Sequence, residues 1–357
     1  MFLTNLSPLY PFNPNLLQRQ IASKTRMESV IFISSEDRLD TFLTTIRSNG
    51  AIADSVRSLH IIFHRSPRSV SKLRECLKRL RFIEDLELML QCISIAQWVR
   101  LLRGIRARHL ELLYTNAPHH ILADFIQFHP TIVYLKIDRC QPGFPSCPLE
   151  AGAFPALSDV AAPASCVSSI VQGNPVERVL ATQPTDRDVR LPCINLLASL
   201  ATTSIAINVL QIDFDPTNFD ILDRIAKATP YITALNLNEK CQQLNRISRR
   251  RAWKDARNWA KSLKKLTYLD TLSLQTTIPL MATPGDEAQE AVVVMRWAGV
   301  VFTNNQQAPP SNHHPNLRRI KLQYLANDLN YESQWGRDSI AQWSRTTALV
   351  FGEGDEL

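Results

Sequence analysis

One short pattern recurs along the chain and constrains its fold more than any other feature. It consists of an apolar residue, two residues of any kind, a second apolar residue, one residue of any kind and a third apolar residue, as in Ile232-Thr-Ala-Leu235-Asn-Leu237. Copies begin at positions 27, 56, 83, 107, 132, 157, 176, 207, 232, 269 and 317, the first being the weakest. A spacing of about 25 residues between most copies predicts a row of similar structural units.

The residues within and between the copies predict alternating strands and helices. Alternation of apolar and polar residues in each copy is typical of a strand with one buried face. Between copies the period becomes helical. We predict a helix capped by Ser66 with Pro67 as its first residue, a second over Ile95 to Ile105, and a third from Phe219 after an Asn218 cap. The first of these helices places four apolar residues on one face, namely Val70, Leu73, Leu77 and Leu80.

Prolines mark where several of these helices should stop. Four of them stand two residues before a copy of the pattern, namely Pro130, Pro155, Pro230 and Pro315. Proline cannot continue a helix and favours an extended residue before it, so each one is predicted to end a helix and begin a strand.

Strands joined by crossover helices are parallel, and short similar units stack beside one another. The predicted fold is therefore α/β: an irregular leucine-rich-repeat-like solenoid, with parallel strands on the concave face and helices on the convex face. A doubly wound open sheet is the alternative, but its central strands would be almost continuously apolar, whereas alternate positions here are polar. We predict a single solenoid over residues 26–344, insertions near 239–265 and 277–316, and flexible segments at 1–25 and 345–357.

Composition and motifs argue against several kinds of chemistry. The chain has ten glycines, none of them in a GxGxxG or GxxxxGK[ST] pattern, and it contains no GxSxG or HExxH. Its seven cysteines include no CxxC pair, which is typical of reduced, buried thiols. The pairs His119-His120 and His313-His314 stand beside prolines, and we expect them in loops. We therefore predict no enzyme, no cofactor and no metal site.

Further sequence features bear on location and partners. No run of 18 apolar residues suggests a membrane span, and the proline-broken N-terminus lacks the basic region of a secretory signal. A net charge of +7 is modest for this length, so we do not expect nucleic acid as a partner. The predicted location is cytoplasmic or nuclear.

Several phrases resemble the repeat region of fungal F-box/leucine-rich-repeat-like families, over about residues 26–345. They are Phe154-Pro-Ala-Leu-Ser-Asp-Val-Ala-Ala-Pro163, Asn174-Pro-Val-Glu-Arg-Val179, Leu222-Asp-Arg-Ile-Ala226, Leu263-Lys-Lys-Leu266 and Leu269-Asp-Thr-Leu-Ser-Leu274. Members with an F-box are implied to bind a Skp1-type adaptor and to present substrates for ubiquitination. The residues before Met27 do not resemble an F-box, so only the recognition function is carried over.

Polar residues beside the strand apolars form the predicted partner-binding surface. They are Asp85, Glu87, His109, Glu111, Tyr134, Lys136, Asp138, Asp159, Arg178 and Asp213. Adjacent strands lie about 5 Å apart, so Glu87 and Glu111 should be neighbours. Asp85, His109 and Asp138 should lie close to them. The alternatives are an inert solvated face and a carboxylate–histidine site for acid–base or metal chemistry.

A basic stripe is the second candidate surface. It consists of Arg250, Lys254, Arg257, Lys261 and Lys264. Such a stripe suits phosphates or an acidic partner. The alternative, which we favour, is an ordinary exposed helix with Trp253 and Trp259 packing inward.

The sequence thus predicts a protein–protein interaction module that recognises a protein partner through its concave strand face. The alternative is a substrate-recognition subunit of a Skp1–cullin–F-box type ubiquitin ligase with an atypical or lost F-box.

Overall fold

A computed structural model of the chain describes residues 29–138, 147–149, 153–182, 192–216, 218–240, 251–300, 302–303, 306–307, 313–326, 329–338 and 342–352. These residues belong to two compact units, unit 1 over 1–114 and unit 2 over 115–357. The segment 1–25, predicted to be flexible, lies outside the described residues. The single solenoid over 26–344 stays a prediction.

Unit 1 alternates strands with helices. In chain order its described elements are β1 (Ser29–Ile33), α1 (Glu36–Ser48), α2 (Gly50–Ser55), β2 (Val56–Phe63), α3 (Val70–Arg79), β3 (Asp85–Leu90), α4 (Ile95–Leu102) and, at the boundary, β4 (Leu112–Thr115). The strands lie side by side in chain order, and β1, β2 and β3 pair in parallel. Neighbouring helices pack together in the same order, α1 on α3 and α3 on α4.

The register between β2 and β3 follows the repeated pattern. Leu59 pairs with Leu86, and Ile61 with Leu88, so corresponding apolar positions stand opposite one another. All four are at most 1% exposed. The alternation predicted from the sequence is therefore confirmed here, because apolar positions two residues apart point to the same, buried face of the sheet.

Unit 2 continues the same alternation. Its described elements are α5 (His119–Ile126), β5 (Tyr134–Ile137), β6 (Asp159–Pro163), α6 (Ala164–Ile170), β7 (Arg178–Thr182), α7 (Pro192–Leu200), β8 (Val209–Phe214), α8 (Ile221–Ala228), β9 (Ala234–Glu239), α9 (Ala256–Leu263), β10 (Thr271–Thr276), α10 (Glu287–Trp297), β11 (Phe302–Thr303), β12 (Gln306–Gln307), β13 (Arg319–Ala326), β14 (Leu329–Arg337) and β15 (Trp343–Gly352). Helices α6 to α10 pack each against the next.

One buried row of apolar residues crosses the parallel strands of unit 2. Strands β5 to β10 and then β13 pair in parallel, and their central pattern residues stand opposite one another. The row is Leu135, Val160, Val179, Leu210, Leu235, Leu272 and Ile320, each at most 1% exposed. Even the irregular spacings of 19 to 48 residues between copies leave this register intact, because the extra residues lie outside the strands.

The end of unit 2 differs from the prediction. Strands β13, β14 and β15 form an antiparallel meander, and residues 344–352 pair with β14. The expectation of a flexible tail from residue 345 is therefore wrong as far as Gly352, since its backbone groups are hydrogen-bonded in a ladder. Residues 353–357 lie outside the described part of the chain.

The structure confirms the buried face predicted for α3 but not the predicted first residues of α3 and α8. Val70, Leu73 and Leu77 are buried as expected. However, α3 begins at Val70 with Ser69 as its cap, not at Pro67, and α8 begins at Ile221 rather than after Asn218. The Ser69 hydroxyl accepts a hydrogen bond from the Lys72 amide, which makes Ser69 the better cap.

Two of the four marker prolines follow a helix as predicted. Pro130 comes after α5, which ends at Ile126, and Pro230 after α8, which ends at Ala228. Among the described residues no helix runs directly up to Pro155 or Pro315.

The two long insertions contain α9 and α10, and Asp286 caps α10 with hydrogen bonds from two backbone amides. In the described portion, no helix has both the length and the apolar character needed to cross a membrane.

Candidate functional site

The open strand face of unit 1 carries two rows of side chains that alternate with the buried ones. Because Val30 pairs with Ser58 and Phe32 with His60, while Ser58 pairs with Asp85 and His60 with Glu87, these residues stand in two adjacent lines across the sheet. We call this surface, with the residues of β4 described next, the unit 1 strand face.

Strand β4 joins this face in a register that the sequence prediction missed. The amides of Glu111 and Leu112 both donate to Glu84 O, at 2.8 and 2.9 Å. In unit 2 the same paired bonds, from residues 158 and 159 to the carbonyl of residue 133, accompany the pairing of residue 134 with residue 159. By the same geometry Leu112 stands opposite Asp85, and Tyr114 opposite Glu87.

The prediction that Glu111 stands beside Glu87, with His109 close to them, is therefore wrong, while a role for both residues in partner binding stays a prediction. Both are exposed and precede β4, and the His109 ring stacks on Phe82 with centroids 5.7 Å apart. The copy assigned to position 107 in fact starts three residues later, at Leu110, with Leu113 as its second buried residue. A shift of three residues reverses which side chains face outward, because strand side chains alternate.

Four polar residues at the centre of the unit 1 strand face form one hydrogen-bonded group, which we call the His60 network. His60 Nδ1 lies 2.7 Å from Glu87 Oε2, and His60 Nε2 lies 2.9 Å from Ser58 Oγ. Ser58 Oγ in turn donates to Asp85 Oδ2 at 3.0 Å. Ser58 and His60 lie two positions apart on β2, and Asp85 and Glu87 lie two positions apart on β3. The hydrogen bonds that join the two strands connect residues 27 positions apart in the sequence.

The charges in the His60 network are perturbed. Hydrogen bonding to Glu87, helped by the negative charges of Asp85 and Glu87, raises the pKa of His60 above its usual 6.5 against the effect of burial. Burial also raises the pKa of Asp85, and its Oδ1 finds no hydrogen-bond partner among the described residues. The network therefore stabilises the charged form of His60, which lies between the carboxyl groups of Asp85 and Glu87.

This arrangement also resembles a nucleophile–base–acid set, with Ser58 beside His60 and His60 beside Glu87. The protonation pattern argues against that chemistry. Ser58 Oγ carries one proton, and because it donates that proton to Asp85 it accepts from His60 Nε2, so this ring nitrogen has no free lone pair with which to take a proton from Ser58. The His60 network is therefore suited to holding charge at a surface rather than to activating a nucleophile.

Apolar side chains flank the His60 network on both sides. On β1, Val30 is 60% exposed and Phe32 is 49% exposed. On β4, Leu112 and Tyr114 are half-buried. The unit 1 strand face thus combines a charged centre with apolar margins, a composition suited to a contact with another molecule.

Unit 2 presents the other predicted surface residues on its own strands. Tyr134, Asp159 and Arg178 stand side by side in register, and Arg178 Nη1 lies 3.5 Å from Asp159 Oδ1. Lys136 is half-buried and Asp138 is exposed just after β5. Tyr134, Asp159 and Arg178 are thus brought together on neighbouring strands, as expected.

Asp213 does not fit the prediction of an accessible contact residue. It is 5% exposed, and its Oδ1 accepts a hydrogen bond from Asn238 Nδ2 at 3.1 Å. Its carboxylate therefore stabilises the pairing of β8 with β9. Tyr134, at 9% exposed, is also largely covered.

The basic stripe is an exposed helix surface for the residues that the structure describes. Lys254, Arg257 and Lys261 are exposed, Lys264 is half-buried, and Arg250 lies outside the described residues. Trp253 and Trp259 are each 2% exposed, so the aromatic side chains pack inward as the favoured alternative predicts.

A second cluster was not foreseen from the sequence. His119, Cys147 and Cys166, which we call the Cys–His cluster, bring their side-chain donor atoms within 4.8 Å of one another. His119 Nδ1 lies 3.2 Å from Cys147 Sγ and 3.6 Å from Cys166 Sγ. Hydrogen bonding from Cys166, and then from His119, lowers the pKa of Cys147 to about 5 against the effect of burial.

One of the two histidine pairs lies in a loop as predicted, because His313 and His314 precede β13 outside any helix or strand; the other pair does not. His119 and His120 are the first two residues of α5, and His119 is 2% exposed. His314 is fully buried, and its Nδ1 accepts a hydrogen bond from the Leu317 amide at 2.9 Å. Sequence spacing gave no signal for the Cys–His cluster, since 28 residues separate His119 from Cys147 and no CxxC marks it.

No protein-family model matches the chain, and no curated protein matches it. The chemistry of the surfaces described above is therefore the basis on which a function can be argued.

Proposed function

We propose that the protein is an irregular leucine-rich-repeat-like module that binds a protein partner through the unit 1 strand face. The observation that carries the proposal is the exposure of Val30 and Phe32 in the same two rows as the His60 network. Apolar side chains exposed together beside polar groups are typical of interaction surfaces. Asp85 and Glu87, two of the residues predicted from the sequence, stand at the centre of this face.

The electrostatics of the face suggest what the partner presents. Two carboxyl groups, Asp85 and Glu87, surround one imidazolium, His60, so the network favours a cationic group from the partner. Phe32 and Val30 suit an apolar side chain next to that cation. We therefore propose a partner segment with an apolar anchor adjacent to a lysine or arginine.

Two further properties belong to this proposal. No disulfide joins Cys76, Cys92, Cys147 or Cys166 in the part of the chain that the structure describes, which supports action in the cytoplasm or nucleus. The ubiquitin-ligase role implied by the family resemblance stays a prediction, and a pull-down with a purified Skp1-type adaptor tests it separately.

The proposal is tested by measuring one partner against matched variants. Proteins captured by the tagged wild-type chain are identified, and a recovered partner is purified and titrated calorimetrically. We expect Phe32→Ala to weaken binding at least about tenfold, the effect of losing a central apolar anchor. Glu87→Gln should weaken it in a salt-dependent manner.

Phe219→Ala is the matched control, because Phe219 is 57% exposed in unit 2 and lies outside the proposed surface. It should bind as the wild type does. Circular dichroism of all variants checks that the fold is retained. Equal affinity of the wild type, Phe32→Ala and Glu87→Gln for every recovered partner would refute the proposal.

A further inference from the structure

The Cys–His cluster lies among turns and helix starts of unit 2. His119 opens α5 directly after Pro118, and Cys166 is the third residue of α6, which follows Pro163 at the end of β6. Cys147 belongs to the short described segment 147–149 between β5 and β6. Because parallel strands end at the same edge of a sheet, segments that follow successive strands meet there. The repeat architecture therefore collects three donors that are far apart in sequence.

All three side chains are withdrawn from solvent. His119 is 2% exposed, Cys147 8% and Cys166 fully buried. The second ring nitrogen of His119, Nε2, is buried without a hydrogen-bond partner among the described residues. Burying an imidazole whose polar atoms are poorly satisfied is costly unless another interaction compensates. A metal bond at Nδ1 would offset this cost for the ring as a whole and would fix its one proton on Nε2.

The donor separations match those of a tetrahedral metal site. Zinc bonds of about 2.3 Å to sulfur and 2.0 Å to nitrogen place tetrahedral donors about 3.5–3.8 Å apart. The observed Nδ1-to-Sγ distances are 3.2 Å to Cys147 and 3.6 Å to Cys166, and all three donor atoms lie within 4.8 Å. Only small side-chain adjustments would be needed for one ion to contact all three.

We propose that His119 Nδ1 and the thiolates of Cys147 and Cys166 bind one zinc ion. Two thiolates and an imidazole are soft to intermediate donors, which favour zinc over magnesium or calcium. Two thiolates and a neutral imidazole balance the double positive charge of the ion. The ion would tie the Cys147 segment to the starts of α5 and α6.

Three donors leave the fourth tetrahedral position for water or another ligand. Binding requires both thiols to lose their protons, so zinc addition releases protons and binding weakens at acidic pH. No electron transfer is involved, and Cys147 and Cys166 remain reduced.

The experiment uses the full chain purified under reducing conditions without chelator. Zinc is measured by mass spectrometry, and cobalt is then exchanged into the protein and its absorption spectrum recorded. We expect one metal ion per chain, a thiolate-to-cobalt charge-transfer band and the intense visible bands of tetrahedral cobalt. The cobalt spectrum reports the ligand set in the wild type, so this readout does not depend on whether variants fold.

Variants assign the ligands. Cys147→Ser and Cys166→Ser should each lower zinc affinity at least about tenfold in chelator competition. They should also reduce the charge-transfer band. Cys76→Ser is the control, because Cys76 is equally buried but belongs to α3 in unit 1. It should retain both the zinc and the spectrum, and circular dichroism confirms that each variant is folded.

Any one of four results would overturn the proposal. The first is a wild type that binds no zinc, and the second is a wild type that binds cobalt without a thiolate-to-cobalt band. Folded Cys147→Ser and Cys166→Ser could both bind zinc as tightly as the wild type. A Cys147–Cys166 disulfide, found in metal-free protein that does not take up zinc after reduction, would assign the cluster to redox chemistry instead.

Discussion

A buried ion pair that fixes the first insertion of unit 2 yields the sharpest stability prediction. Arg251 Nη1 lies 2.6 Å from Glu239 Oε1, and the two side chains are 2% and 0% exposed. Glu239 also accepts hydrogen bonds from Trp253 Nε1 at 2.8 Å and Thr277 Oγ1 at 3.0 Å. Glu239 therefore joins β9 to the turn before α9 and to the residue after β10.

Replacing Glu239 with alanine removes the partner of a buried guanidinium. Breaking a buried pair in this way costs about 3–5 kcal/mol, since the remaining charge is left uncompensated. The donors of Trp253 and Thr277 also lose their acceptor, at about 1 kcal/mol each. Because these terms share one group and are not additive, we expect a total loss in the free energy of unfolding of about 4–5 kcal/mol.

A double variant separates the charge from the hydrogen bonds. Glu239→Leu with Arg251→Met removes both charges while keeping apolar volume, and such replacements of buried pairs are often neutral. What remains is the loss of the two hydrogen bonds from Trp253 and Thr277, about 2 kcal/mol. The double variant should therefore be more stable than Glu239→Ala alone.

Urea unfolding followed by tryptophan fluorescence and circular dichroism measures these differences. The control is Arg319→Met, which breaks an ion pair of 2.8 Å with Asp270 in which Arg319 is 71% exposed. Exposed pairs contribute about 0–1 kcal/mol, so this variant should change stability little. A loss below about 1 kcal/mol in Glu239→Ala, or a double variant less stable than Glu239→Ala, would refute the reasoning.

Further predictions concern pH and the core. The pKa of His60 is raised in the folded protein, so the stability that its charged form contributes is complete below about pH 6.5 and is lost as the pH rises through the folded pKa. The difference in the free energy of unfolding between the wild type and His60→Gln should therefore shrink on the alkaline side. Burial lowers the pKa of His314, so the stability that its neutral form contributes is present above about pH 6.5 and is lost as the pH falls through the folded pKa. Hydrogen exchange within unit 2 should therefore accelerate on acidification, and His314→Asn should reduce that acceleration. Leu235→Ala, at a fully buried pattern position, should cost about 2–5 kcal/mol in urea unfolding, against much less for Leu325→Ala at a site that is 38% exposed. Unchanged pH profiles or equal costs would contradict these expectations.

The repeated pattern predicted most strand rows well, but it failed at β1 and at β4. The copy at position 27 includes Val30 and Phe32 among its apolar strand positions, yet they pair with Ser58 and His60 on the outward face and are 60% and 49% exposed. Around β4 two overlapping sets of apolar residues fit: one from Ala107 to Leu112, and one from Leu110 through Leu113 to Thr115. The second set ends on a polar residue and so departs from the apolar pattern, yet Thr115 is only 2% exposed. Hydrogen bonds to Glu84 O, which no local pattern records, select the second register.

The sequence by itself determined the period, the buried face of the parallel strands other than β1 and β4, and the presence of a helix in each long insertion. These properties depend on residues that are near neighbours along the chain, so apolar alternation reports them directly. The tertiary structure alone decided which charged and sulfur-bearing groups meet: His60 with Glu87, Glu239 with Arg251, and His119 with the two thiols. Such contacts depend on strand register and on the length and course of the intervening turns, and a shift of even one residue would turn the side chains to opposite faces.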